Sequence, residues 1–170
     1  AQGDCPYVGV PAFLSRAFRH TSFYVRTDRI KKPEDLKGRL VGVPEYQLTA
    51  NVWARAILAD DHGVKPSDIR WIRGGLEEPG RLEKIAINLP KDVRLENAPE
   101  GRTLSGMLDA GEIDAFIGPR VPSCFERGHP KVGWLFPDPT AAAINYFKRT
   151  EIFPIMHLVG VRRSLAEQHP

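Results

Sequence analysis

Residues 38–58 read GRLVGVPEYQLTANVWARAIL. Leu40 to Val43 is a short apolar run with the length of a buried strand. Pro44 to Thr49 is a polar turn, and the stretch from about 49 to 62 reads as a helix. Strand, turn and helix in that order open an α/β unit. A plain connector would need only a cap. This one also carries Tyr46, Gln47 and Thr49, so the turn is marked for attention.

Outward from that stretch, the alternation continues. HTSFYVRT (20–27) reads as a strand with Phe23 and Val25 on one side and Tyr24 on the other. In KKPEDLKG, Pro33 followed by acids suits a first helical turn, which Gly38 ends. Gly63 sits where a left-handed C-terminal residue belongs. DIRWIRGG (68–75) is a further strand ended by a double glycine. Residues 76–90 are irregular and punctuated by proline and glycine, and Val93 to Leu95 offers a short strand. RTLSGMLDA (102–110) reads as a helix, GEIDAFIGP (111–119) as a strand near 113–117, and 119–131 as loop. VGWLFPD (132–138) is a short strand. PTAAAINYFKRTEI (139–152) is helical with Thr140 as its cap, and PIMHLVGVRRSL (154–165) is a strand running into a last helix. Residues 5–14 are apolar but broken by prolines. Alternating elements predict an α/β fold with a parallel or mixed sheet.

The bulk numbers exclude several classes. The chain has 170 residues, 42% hydrophobic and 26% charged, enough for one or two domains. No apolar run approaches the roughly 18 residues a membrane helix needs. The first 20 residues show no basic segment leading into an apolar one, so no secretion signal is expected on this chain. The net charge is +3 with basic and acidic residues interspersed, which gives no nucleic-acid footprint. Cys5 and Cys124 lack CxxC spacing and a histidine cluster, so neither zinc nor redox chemistry is indicated. Two cysteines fit a reducing cytoplasm, the expected location, and do not exclude a bacterial periplasm. No GxGxxG, P-loop, HExxH or GxSxG motif is present, and no cofactor is expected.

Five places carry candidate chemistry. In an open α/β sheet, ligands bind beyond the carboxyl ends of strands, where the first helical N–H groups are free and the dipole favours an anion. Tyr46, Gln47 and Thr49 equip that position for a carboxylate; the competing reading is a capped helix with local packing. SRAFRH (15–20) sets Arg16 and Arg19 beside His20. A guanidinium fork matches a carboxylate, and an imidazole exchanges its proton near neutral pH. A solvated basic turn is the alternative. RGGLEEPGR (73–81) places Arg73, Glu77 and Arg81 around a strand end, and IGPR places Arg120 at another. His157 lies within an apolar strand, where packing competes with a direct role. His20 and His157 could converge with Asp114 or Glu77 on a metal, but no spacing demands it, and no metal is expected.

Taken together, these phrases resemble a known group. LKGRLVGVPEYQLTANVWAR, LSGMLDAGEIDAFIGPR and AAAINYFKRTEIFPIMHLVGVRRSL look like the middle of a type II periplasmic-binding-protein-like chain. SRAFRHTSFYV, GVPEYQLTANVWAR, RGGLEEPGR and FPIMHLVGVRR resemble the 4,5-dihydroxyphthalate decarboxylase family within it. The resemblance implies residues 1–28 as part of a first domain and hinge, 29–138 as a second α/β domain, and 139–170 as the return crossing and a further part of the first domain. It implies a cofactor-free decarboxylase of a small aromatic dicarboxylate, of the 4,5-dihydroxyphthalate to protocatechuate type, with homo-oligomers left open. It casts Arg19 and Arg73 as carboxylate clamps, His20 as proton donor and the helix end at Thr49 as a second anion site. Because the fold also serves non-catalytic binding, a solute-binding protein for an aromatic or heteroaromatic acid is the alternative.

Overall fold

The computed structural model describes residues 5–169; the first four residues of the expected first-domain segment lie outside them. In chain order the elements are β1 (Tyr7–Arg16), β2 (Phe23–Arg26), β3 (Leu40–Val43), α1 (Thr49–His62), β4 (Arg70–Arg73), β5 (Arg94–Asn97), α2 (Leu104–Ala110), β6 (Ala115–Ile117), α3 (Ser123–Glu126), β7 (Val132–Trp134), α4 (Pro139–Thr150), β8 (Ile155–Arg162) and α5 (Arg163–Gln168). Six strands form one sheet in the order β5-β4-β3-β6-β2-β7, and β1 pairs with β8 in a separate ribbon.

The sheet is mixed, as the alternation predicts. β3 runs parallel to β4 and β6, and β4 parallel to β5. β2 lies antiparallel between β6 and β7. Both faces are covered, so the side-chain period of two sorts residues into two cores. Phe23, Val25, Val41, Trp71, Ala115 and Ile117 fill one. Tyr24, Ile72, Leu104, Ile113 and Phe116 fill the other. Burial on both sides is why Leu40 to Val43 reads as an unbroken apolar run rather than an alternation.

The helix after β3 spans the expected residues, but its start is made differently. Thr49 does not cap it. The Leu48 carbonyl accepts the N–H groups of Asn51 and Val52 at 2.8 and 2.9 Å. The other end follows expectation: Gly63 adopts φ 61° and gives its N–H to the carbonyls of Leu58 and Ala59. That left-handed conformation strains any residue with a Cβ.

Three other expectations are corrected. α4 is capped by the Asp138 carboxylate, which accepts the Ala141 N–H at 2.9 Å, rather than by Thr140. Pro139 occupies the first helical position, which puts the cap at Asp138, two places upstream of Thr140. The expected loop 119–131 contains the single turn α3. The proline-broken stretch near the start is the strand β1. Its ladder with β8 slips between Val10 and Phe13, around Pro11, which has no N–H to donate. Among the described residues no helix is long and apolar enough to cross a membrane.

β3 passes the second core very closely at Gly42. A Cβ there would lie 2.9 Å from Ile113 Cδ1 and 3.0 Å from Leu104 Cδ2, and both of those side chains are fully buried. Gly42→Ala should therefore destabilise the fold by about 1–2 kcal/mol through overpacking. The check is the urea midpoint; an unchanged midpoint would show that this core can yield.

Candidate functional site

Parallel strands joined by crossovers must end on the same side. β3, β4 and β6 therefore send their following loops to one edge of the sheet. β4 lies on one side of β3 and β6 on the other, so the chain's direction of winding reverses there, and the loops part. A cleft of about 830 Å³ opens at that edge. It is lined by Pro44 and Leu48 from the turn after β3, by Glu77, Arg81 and Lys84 after β4, and by Arg120 after β6.

The dressed turn has a structural explanation. The Tyr46 ring is buried, edge-on to Trp71 at 5.6 Å. The Arg55 guanidinium sits 3.7 Å from its centroid and donates to the Tyr46 carbonyl at 2.6 Å. Gln47 donates to the Ile85 carbonyl at 3.1 Å. The Tyr46 N–H donates to the Glu83 carboxylate. Asn51 donates to the Glu45 carbonyl at 2.6 Å. Turn 44–48 is thus stitched both to its own helix and to the irregular strap 76–90. Thr49 is exposed at the first position of α1.

Two glutamates anchor the strap electrostatically. Glu45, only 2% exposed, receives Arg81 Nε and Nη2 at 2.9 and 2.5 Å. A buried carboxylate persists in charged form only with such a partner. Glu83 lies 3.9 Å from Arg73, while Arg73 itself donates to Asn97 Oδ1 at 3.1 and 2.5 Å. Arg81 and Arg73 are therefore largely engaged by protein groups. Arg120 and Lys84 make no ion pair among the described residues, and both line the cleft.

The remaining candidates lie away from the cleft wall. His20 is buried, with its ring 5.2 Å from that of Phe136 and 5.6 Å from that of Tyr146. It lines a second, apolar cavity of about 650 Å³ with Phe18, Ile144 and Phe147. Arg19 donates to the Met156 sulfur at 3.0 Å. Arg16 covers Phe13 at 4.7 Å. His157, on β8, has Nδ1 2.6 Å from the Ser15 hydroxyl on β1. Asp114, considered beside His20 and His157 for a metal, instead pairs with Arg29 at 3.0 Å. The structure therefore gathers Glu77, Arg81 and Arg120 at the cleft and leaves His20, Arg19, Arg16 and His157 near the β1–β8 ribbon and α4.

Sequence reasoning missed Glu45, Lys84 and Ser123. Glu45 stands inside the quoted turn, directly beyond β3, so the strand-end rule reached its position without selecting it. Ser123 holds Glu77 from one place only: its N–H and hydroxyl reach the two carboxylate oxygens at 2.8 and 2.7 Å. Nothing in the spacing of 46 residues announces that pair.

Burial pushes the His20 pKa below its ordinary value, so the folded chain holds it neutral near pH 7. The unfolded chain protonates it near pH 6.5. Below that pH the unfolded state takes up a proton that the folded state refuses. Stability should fall as pH drops from about 6.5 through the lower folded value. His20→Gln should lose less stability between pH 8 and pH 5 than the parent in urea titrations. Parallel losses in the two proteins would show that His20 is not buried as a neutral ring.

No family model matches the chain. Curated relatives do. Across its whole length the chain is 62% identical to a protein of Comamonas testosteroni named 4,5-dihydroxyphthalate decarboxylase, of which it covers 52%. Over 149 residues, 87% of the chain, it is 62% identical to a Pseudomonas putida protein of the same name, of which it covers 58%. The chain thus spans about half the length of the curated relatives it matches.

Proposed function

From membership of the 4,5-dihydroxyphthalate decarboxylase family, to which the chain belongs by 62% identity with two such proteins, we propose that it forms part of a non-oxidative decarboxylase acting on a dihydroxylated aromatic dicarboxylate. That identity is the observation that carries the reading. The cleft at the carboxyl edge of β3, β4 and β6 is the proposed substrate site. A two-domain, periplasmic-binding-protein-like architecture is proposed with it. The six-stranded sheet is then the body of the second domain, and the β1–β8 ribbon is the crossing between domains.

The chemistry is a proton exchange for carbon dioxide at one ring carbon. The bond to the carboxylate breaks, its electron pair stays on the ring carbon, and a proton takes that place. A ring hydroxyl para to the leaving group supplies electron density for protonation of that carbon. The site must hold two adjacent carboxylates and tolerate their charge. Arg120 and Lys84 are the cleft cations without an ion-pair partner among the described residues, and guanidinium forks suit carboxylates. Leu48 brings the N-terminus of the 14-residue helix α1 to the same cleft, which adds a partial positive charge beside Thr49. Arg81 serves the cleft mainly by holding Glu45. His20 as proton donor is the part of the sequence reading that the cleft geometry does not support, because the ring lines the second cavity and is held neutral.

The full-length protein, incubated with 4,5-dihydroxyphthalate, should release carbon dioxide and protocatechuate in equal amounts. Arg120→Ala should raise KM about tenfold or more, the worth of a hydrogen bond between charged partners. Tight binding of the diacid without any carbon dioxide would establish the solute-binding alternative.

A further inference from the structure

Glu77 is an exposed carboxylate of the cleft that is held by neutral donors rather than by a cation. The strap begins at Gly75 and Leu76, whose carbonyls accept the N–H groups of Leu104 and Ser105 at 2.9 and 3.0 Å. α2 therefore fixes the backbone just before Glu77. From the other side Ser123 grips both carboxylate oxygens, with its N–H on Oε1 at 2.8 Å and its hydroxyl on Oε2 at 2.7 Å. Behind Ser123, the Ser105 and Ser123 hydroxyl oxygens lie 3.0 Å apart, and the Cys124 N–H donates to Ser105 at 3.3 Å.

The direction of this chain of bonds is forced. An ionised carboxylate has no hydrogen to give. The single Ser123 hydroxyl hydrogen must then point at Glu77. Ser105 must donate to Ser123, and the Ser105 oxygen is left to accept from Cys124, which is what it does. Donors run outward from a buried backbone N–H to an exposed carboxylate at the cleft. Each Glu77 oxygen has lone pairs left over for a donor in the cleft.

Resting on the reading of the cleft as a site for a dihydroxylated aromatic dicarboxylate, we propose that Glu77 is the acceptor for the substrate's ring hydroxyls and that Ser123 is its positioning residue. A fixed anion cannot receive a substrate carboxylate, because like charges repel across so short a gap. It can receive a phenolic O–H. Arg120 and Lys84 then take the acidic end of the ring and Glu77 the hydroxyl end, so the ring enters in one orientation. A hydrogen bond from the hydroxyl para to the departing carboxylate also raises electron density at the carbon to be protonated. Specificity for a hydroxylated ring over plain phthalate is the consequence.

The test compares the full-length protein's KM for 4,5-dihydroxyphthalate, which it turns over, with the competitive inhibition constant of phthalate, the same diacid without hydroxyls. The parent should prefer the dihydroxylated ligand by about tenfold or more. Ser123→Ala should shrink that preference several-fold while leaving phthalate affinity and thermal midpoint near the parent's. Ser123→Thr, which keeps the hydroxyl, should restore it. Glu77→Gln should shrink it as well, and adding Ser123→Ala to that variant should change it little further, because Ser123 acts through Glu77. If the parent binds both diacids equally, or if Ser123→Ala weakens both alike or neither, the inference is overturned while the cleft reading stands. If the parent binds neither diacid, the cleft reading itself fails and takes this inference with it.

Discussion

The parallel setting of β3 between β4 and β6 is the constraint on which the rest depends. Parallel neighbours cannot be joined by a hairpin; each needs a crossover over a face of the sheet. The crossovers cover both faces, so β3 must be apolar throughout and must be thin where Leu104 of α2 and Ile113, just before β6, crowd it at Gly42. The same arrangement brings three strand ends to one edge, and the loops that leave them have nowhere to go but around a cleft. Fold and site location are two results of one pairing pattern.

What fills the cleft edge is decided by satisfaction of buried polar groups rather than by regular structure. The strap 76–90 has no helix or strand. It is held by Arg81 on Glu45, by Glu83 on the Tyr46 N–H and by Gln47 on the Ile85 carbonyl. Each of these links joins the turn after β3 to the loop after β4. The residues that made the turn conspicuous as sequence are therefore mostly its fastenings. That leaves Lys84 of the strap, Arg120 beyond β6 and the carboxylate held by Ser123 as the groups facing the open space.

Legibility in the sequence followed the range of the interaction that sets each feature. Strand β3, helix α1 and the turn at Gly63 are set by residues within a few positions of each other, and they were legible. So was the period-two split of Phe23 and Val25 from Tyr24. β1 was only partly legible because Pro11 argues against a continuous strand, and it is the distant β8 that carries the ladder past that proline. α3 is a single turn held in place by Glu77, 46 residues away. In the site, Glu77, Arg81 and Arg120 were found because strand ends announce themselves through glycine and proline. The placement of His20 was not, since its neighbours Phe136 and Tyr146 arrive from more than a hundred residues downstream.

The β1–β8 ribbon has one more implication. Each strand is paired on one side only among the described residues, and the ribbon shows Tyr7, Val8, Phe13, Leu14 and Leu158 to solvent. Open backbone edges beside apolar side chains are templates for strand addition. Produced alone at high concentration, this stretch of polypeptide is set to self-associate through that ribbon. Lysine substitutions along the ribbon's outer edges, rather than changes to the well-packed sheet, are the natural route to keeping it dispersed.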